Sequence, residues 1–434
     1  MREPHEEWEH SRIKPAAREI ALYYRPSCET TDLTLELSHA LDNFHLGQSF
    51  LGFVPAQIGR SRAVDNAAQA VVKAQKWAAS GDICLETTAI RHYNLAINAL
   101  RHELARDHGR SMDDALLAAA LLYCCETTLD PTIATTSAHN KGLAAILMMV
   151  SAKKSTRDGM SRSIFFYHWK GTFNLPVVLG QASPFDNYYW ASKQPAMVGM
   201  VGEETDRLRW LAQKLFIRLP RLIALVREVR GGALAEDALQ LADELALCRD
   251  DNAENALLHG LKVVKTLTHD PQDAQFLPFS YQFKDTSQFE GALYYWQLRI
   301  LANRLLFTLL ESTLNKDDMC RVQRIKDDNT RMAISIMMSF RFALSVGSVG
   351  GWALCLGWTA VWGPVRDVDC IQRGIRTLWS SKLRPWLLDK YEELHRGHLK
   401  VQESDMDEAA EMLVGGPLGA GLITGQPEQL ASYR

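Results

Sequence analysis

The sequence predicts an all-α protein, a large array of packed antiparallel helices. Three observations predict it. Apolar residues recur at three- and four-residue steps through most of the 434 residues. Alternating strand patterns are scarce, and the periodic segments are separated by short connections. The clearest segment is SMDDALLAAALLYCCET, Ser111 to Thr127. Ser111 is a good N-cap and Asp114 follows it by three residues, as in a capping box; Asp113 and Asp114 put negative charge at the positive end of the helix dipole. Ala115 to Cys125 is uncharged and apolar on every side, as a helix covered by protein requires, and at about half the 20 residues of a spanning helix it is too short to cross a membrane. Neighbouring helical residues point about 100° apart, so Cys124 and Cys125 can neither chelate one ion nor bridge each other with ease. They read as two core thiols.

The other elements follow in order. A helix from Thr88 to Arg106 precedes this one and another, Ala134 to Ser151, follows it, and the three are expected to pack consecutively. From Thr205, Leu208, Leu211, Leu215, Leu219, Leu222, Val226 and Val229 mark a long helix that Pro220 should kink or restart. Gly231-Gly232 ends it, and Ala233 to Arg249 is the next. Phe276 to Phe283 is the one plausible short strand, weakened by Pro278. Phe289 to Leu314 is a long apolar helix with Arg299 and Arg304 as isolated positive charges. Connections are expected at Gly180–Ser192, Thr268–Ser287 and Asp327–Thr330. Phe342 to Val365 is uncharged and long enough to span a bilayer, but SVGSVGG, Ser345 to Gly351, should divide it into two buried helices. Residues 1–20 read as a flexible N-terminal segment, 21–410 as one helical domain, and 411–434, containing GGPLGAGLITGQPEQ, as a flexible tail.

Composition narrows the classes. With 47% hydrophobic and 23% charged residues the chain can build a large core under a water-compatible surface. A formal net charge of -3 gives no general pull toward nucleic acid. The start, MREPHEEWEHSR, is too charged for a signal peptide. Eight cysteines at 28, 84, 124, 125, 248, 320, 355 and 370 form no C-x2-C pair, so zinc-finger, zinc-cluster and thioredoxin spacings are excluded, and their scatter suits a reducing compartment.

No residue set earns a catalytic, cofactor-binding or metal-ligating role. Gly419-Ala-Gly421-Leu-Ile-Thr-Gly425 resembles a phosphate loop, but no strand precedes it and too little chain follows. His395 and His398 could share a helix face near Glu392 and Glu393, without an evident third ligand. Acidic pairs at Asp113-Asp114, Asp250-Asp251 with Glu254, Asp317-Asp318 and Asp327-Asp328 were weighed as magnesium sites of a terpene-synthase type. None forms D-D-x-x-D, and each reads as a helix end. Phe165 to Trp169, Tyr294-Tyr295-Trp296, and Trp352, Trp358 and Trp362 read as core, with a ligand cavity as the alternative. The densest basic patch, Lys153, Lys154, Arg157 and Arg162, is interrupted by Asp158 and carries no stacking aromatics.

Several blocks, in order, resemble the fungal-specific transcription factor domain, the all-helical regulatory region that accompanies a Zn2Cys6 cluster. HYNLAINALRHELA (His92–Ala105) resembles its helix with a Leu-Arg-x-x-Leu phrase, and DDALLAAALLYCCE the apolar helix after it. His139-Asn-Lys-Gly142 resembles its H-x-x-G helix start, with Thr136 where Trp is frequent. FYHWKGTFNLPVVLGQASPF, PFSYQFKD, ALYYWQLRILANRLL (Ala292–Leu306) and ISIMMSFRFALSVG resemble later blocks, so the resemblance spans roughly Leu33 to Trp386. It implies a nuclear transcription regulator, not an enzyme, without cofactor. Its partners would be other transcription regulators or a DNA-binding partner, with a homodimer and a small effector left open. The chain has no zinc-cluster cysteines, so the resemblance implies no direct DNA binding; whether a cluster was lost or lies outside this chain stays open. Within the resemblance His139 caps or packs its helix, and Gly142 is expected to let a neighbouring helix approach closely. The rival readings are the all-α enzyme and a structural helical scaffold.

Overall fold

A computed structural model describes residues 33, 36–37, 50–105, 112–129, 138–152, 158–168, 173, 176–187, 203–266, 270–313, 319–346, 348–366, 376–394 and 401–417. Among them the chain is all-α apart from one two-stranded antiparallel sheet. Two apolar cores organise it.

The first core begins at two 3-10 turns, Phe50–Phe53 and Pro55–Gln57. Helix α1, Arg62–Ser80, is capped by Ser61, whose hydroxyl accepts from the Val64 amide, and ends at Gly81 in the left-handed region at φ 71°. Its buried face is mostly small, with Ala63, Ala67, Ala70 and Ala74 beside Val64 and Val71. Small side chains let α1 approach its neighbours closely. Those neighbours are α2, Ile83–Ala105, and α3, Met112–Leu129. The Asp82 carboxylate opens α2 by accepting from the Cys84 amide at 2.9 Å. In α3 every residue from Ala115 to Cys125 is buried, as a helix apolar on all sides demands. Helix α4, Ala138–Ala152, packs on α3, and α5, Asp158–Tyr167, lies against both. Phe165 meets Phe185 edge-on at 5.0 Å, and His168 meets Tyr123 at 4.7 Å.

The second core is built around α6, Glu203–Arg230, and α10, Thr286–Thr313. Pro220 lies inside α6 without interrupting it. Phe216, Leu219, Leu222 and Ile223 are buried on either side, and that packing holds the helix together across the missing amide hydrogen bond. Gly231 and Gly232 end α6 as expected, Gly232 at φ 99°. Ile217 of α6 belongs to the first core, and Arg218 and Arg221 reach Asp186, so α6 joins the two halves.

Around α10 sit α7, Glu236–Ala246; α8, Asp251–Gly260; α9, Pro271–Phe276; α11, Met319–Met338; α12, Phe340–Ser345; α13, Ser348–Arg366; α14, Arg376–Leu394; and α15, Glu403–Met412. Strands β1, Lys262–Lys265, and β2, Phe279–Gln282, pair with Lys262 opposite Gln282. The strand expected at Phe276–Phe283 is thus present in shortened form. Pro278 stands just before it and contributes only its carbonyl, which accepts from Thr266. Its partner β1 shows no alternation, both valines being flanked by lysines, and was not foreseen.

Three expectations need correction. The connection at Asp327–Thr330, with Asp327-Asp328 at a helix end, is instead the middle of α11. Val322, Ile325, Asn329, Met332 and Ile336 are buried at helical spacing, and Asp328 pairs with Arg331 one turn on. Gly142 admits no close neighbour, because a side chain there would meet nothing within 4 Å. The uncharged run from Phe342 divides within Ser345–Gly351 as expected: α12 ends at Ser345 with Val346 as its C-cap and α13 begins at Ser348, with Gly350 and Gly351 inside it; no helix of the described residues is long and apolar enough to cross a membrane. The tail does not begin at residue 411. Helix α15 continues to Met412, Leu413 to Gly416 are buried, and the Gly416 carbonyl accepts from Arg227 Nε at 2.9 Å. Residues 1–20 and 418–434 lie outside the described residues, as do Ser111, Asp317-Asp318, His395 and His398 and Gly419 to Gly425; so do the side chains of His139, Trp352 and the Lys153–Arg162 basic patch.

Gly363 on α13 has a steric role. The Arg304 guanidinium of α10 lies across it, donating to the Ala410 carbonyl of α15 at 3.3 Å. A Cβ at position 363 would fall 2.1 Å from Arg304 Nη1. Gly363→Ala is therefore expected to lose about 2–4 kcal/mol, from forced repacking and a displaced buried cation. Chemical denaturation of the two proteins side by side measures it, and an unchanged midpoint would mean that Arg304 has another place to go.

Candidate functional site

The groups with chemical potential collect around α10. The acidic cluster nearest to a magnesium motif, Asp250-Asp251 and Glu254, is divided among three tasks. Asp250 caps α8 by accepting from the Ala253 amide at 2.9 Å. Asp251 pairs with Arg249, whose hydrogen bond, outweighing partial burial, holds the carboxyl below its usual range. Glu254 turns inward, 3% exposed, and accepts from Trp296 Nε1 at 2.8 Å and from Arg331 at 2.6 and 3.2 Å. The three carboxylates therefore do not converge on a common point.

Among the described residues the Glu254 arrangement occurs three times. Asp273 of α9, also 3% exposed, accepts from Trp386 Nε1 at 2.9 Å, from Arg341 at 2.5 Å and from Lys390 at 3.0 Å. Asp407 of α15 accepts from Trp362 Nε1 at 2.9 Å and from Arg384 at 2.9 and 3.0 Å. Each is a carboxylate held between an indole N–H and a cation, and each ties a short peripheral helix to the long ones. A carboxylate whose oxygens already accept from several donors is a poor base and a poor metal ligand. Burial alone would push the Asp273 carboxyl up; Trp386, Lys390 and Arg341 outweigh it and hold it below the usual range. Lys390 moves the other way, up to about 12, because Glu393 and Asp273 outweigh its burial.

The two arginines singled out on α10 also serve the architecture. Arg299 donates to the carbonyls of Leu245 and Ala246 at 3.3 and 3.2 Å, placing a cation at the C-terminal end of α7. Beside it Asn303 donates to Asn329 at 3.0 Å. Gln297 is fully buried with its Oε1 beside Gly357, 3.0 Å from where a Cβ there would stand, and neither of its polar atoms is hydrogen-bonded.

Cys124 and Cys125 are buried and form no disulfide. Burial, followed by the neighbouring Cys124, raises the Cys125 thiol far above the reactive range. Of the aromatic residues weighed as a cavity lining, Phe165 meets Phe185 at 5.0 Å, Tyr294 meets Phe216 at 6.4 Å, Trp296 meets Tyr281 at 6.1 Å, and Trp358 meets Phe340 and Trp386 at 5.3 and 6.1 Å; the side chains of Phe166, Tyr167, Trp169 and Trp352 lie outside the described residues. Asp113 and Asp114 are half-buried in the first turn of α3, and Glu392 and Glu393 lie at the end of α14. Among the described residues no three His, Cys, Asp or Glu side chains converge as a metal site.

Sequence reasoning missed the carboxylate–indole–cation clamps because their members are far apart in the chain, 113 residues for Asp273 and Trp386. The available signal was compositional, tryptophans and arginines interspersed in otherwise apolar helices, where an indole N–H or guanidinium must find an acceptor. No protein-family model matches the chain, no curated protein is significantly similar to it, and no solved structure matches it.

Proposed function

We propose that the chain is a regulatory domain of the fungal-specific transcription factor type. It would act in the nucleus through contacts with other transcription regulators, and no zinc-cluster cysteine spacing lies within these 434 residues. The observation that carries this reading is the order of the resembling blocks along the sequence, from HYNLAINALRHELA to ISIMMSFRFALSVG. The all-α array supports it in a coarse way, since those blocks supply α2, α3, the start of α4, β2, α10 and the end of α11 with α12. The acidic groups also favour a non-catalytic reading: Glu254, Asp273 and Asp407 spend their oxygens on structural donors.

Two experiments test it. Tethered to a heterologous DNA-binding domain in a fungal reporter cell, the chain should change reporter output; an unchanged output contradicts the regulatory role. In gel shifts at physiological salt the isolated chain should bind duplex DNA only weakly and without sequence preference. Its net charge is -3, and affinity for phosphates comes mainly from Lys and Arg. Sequence-selective binding at nanomolar concentration without a partner would overturn the claim that DNA reading is delegated.

A further inference from the structure

Strand β1 leaves one edge of the sheet open. Its principal contact is β2, which in turn packs on α11 and α12. The ladder fixes which main-chain groups face outward. Thr266 follows β1 in the same register and donates to the Pro278 carbonyl opposite it. Pairs alternate from there, so Val264–Ser280 and Lys262–Gln282 exchange hydrogen bonds, whereas Val263–Tyr281 and Lys265–Phe279 do not. The amides and carbonyls of Val263 and Lys265 therefore point away from β2, and none of them meets a hydrogen-bond partner among the described residues. Val263, 53% exposed, and Phe279, 50% exposed, lie on the same face of the ladder. Lys262 and Lys265 are exposed as well. Gln282 and Phe279 stand across from them, and no ion pair joins either lysine to a described residue.

We propose that this edge takes up an extended acidic peptide as a third, antiparallel strand, the peptide carrying two apolar residues between two acids. The peptide residues opposite Val263 and Lys265 each exchange two main-chain hydrogen bonds with β1. The acids stand opposite Lys262 and Lys265 and complete charge pairs across the ladder, while the apolar residues lie beside Val263 and Val264. Edge lysines discourage pairing with another basic edge, and that is what selects the occupant. A second copy of β1 would crowd the lysines of both chains along one short seam. An anionic membrane would satisfy the lysines and Val263 but offers no row of groups for the outward amides and carbonyls. The inference stands on the sheet alone and holds whether or not the regulatory reading does.

A fluorescent peptide carrying Glu-Val-Val-Glu between Gly-Ser flanks, titrated with the full chain, should give saturable anisotropy at micromolar protein. The reordered peptide Val-Glu-Glu-Val, of equal charge, should bind at least about tenfold more weakly. Lys262→Glu with Lys265→Glu should weaken binding of the first peptide at least about tenfold and should transfer the preference to Lys-Val-Val-Lys. Val263→Pro removes an outward amide and leaves the β1–β2 hydrogen bonds in place, so circular dichroism and melting should stay close to wild type while affinity falls at least about tenfold. The absence of saturable binding would overturn the proposal. So would equal binding of the two acidic peptides or indifference to Val263→Pro, since both mean charge attraction without strand addition. A charge reversal that Lys-Val-Val-Lys does not rescue, or co-sedimentation with phosphatidylserine vesicles in place of peptide binding, would overturn it as well.

Discussion

Leu121→Asp is expected to abolish the stable fold. Leu121 is fully buried in the middle of α3, where all residues from Ala115 to Cys125 are buried together. Removing the side chain alone, as in Leu121→Ala, should cost about 2–5 kcal/mol through lost transfer energy and the cavity left behind. The aspartate adds the penalty of a buried carboxyl group. It must either ionise in an apolar surround or stay protonated at neutral pH, and both are unfavourable. The total reaches or exceeds about 5 kcal/mol, comparable with the whole stability of many domains. The variant should appear in the insoluble fraction or melt without a cooperative transition. Leu121→Met, which conserves volume and polarity, should lose less than about 1.5 kcal/mol. Cooperative melting of Leu121→Asp near the wild-type temperature would mean that α3 is not the covered helix described here.

The legibility of the chain differs between its elements for physical reasons. Helix α3 could be read because a run apolar on every side, with acids at its start, has few other stable settings in water. Helix α10 could be read for the same reason, and its boundaries fall within a few residues of those expected. Helix α6 could be read only in part. Its apolar spacing was clear, but whether Pro220 would break it depended on burial on both sides, which no local pattern carries. Strand β1 was invisible, since Lys-Val-Val-Lys has neither length nor alternation and exists because β2 lies beside it. The helix through Asp327 and Asp328 was misread because an acidic pair looks like a boundary until its neighbours at 322, 325, 329 and 332 are seen to be buried. The carboxylate clamps were out of reach of sequence spacing. Glu254 and Arg331 are 77 residues apart, and only the packed array brings them together.

Asp273→Ala should be among the most damaging single changes in the second core. It leaves three donors behind: the Trp386 indole N–H, the Arg341 guanidinium and Lys390, which is 5% exposed. Lys390 keeps Glu393 at 2.8 Å and Asp389 at 3.4 Å, so it is not wholly stranded, but Asp389 and Glu393 are on its own helix and cannot tie α9 to α14. Breaking a buried pair by removing one partner costs about 3–5 kcal/mol. Asp273→Asn should cost less than the alanine, because the amide oxygen can still accept from the indole while the charge is lost. The two variants also separate the charge from the hydrogen bond through pH. The Asp273 carboxyl is held below its usual range in the folded protein. Its ionic contribution is therefore fully present above the unfolded-state value of about 3.9 and is lost as pH falls through the lower folded value. The gap in melting temperature between wild type and Asp273→Asn should accordingly be widest near neutrality and should narrow as the solution is acidified below about pH 4. A gap that stays constant from neutral pH into that acidic range would show that the carboxylate charge contributes nothing and that the acceptor alone holds α9 in place.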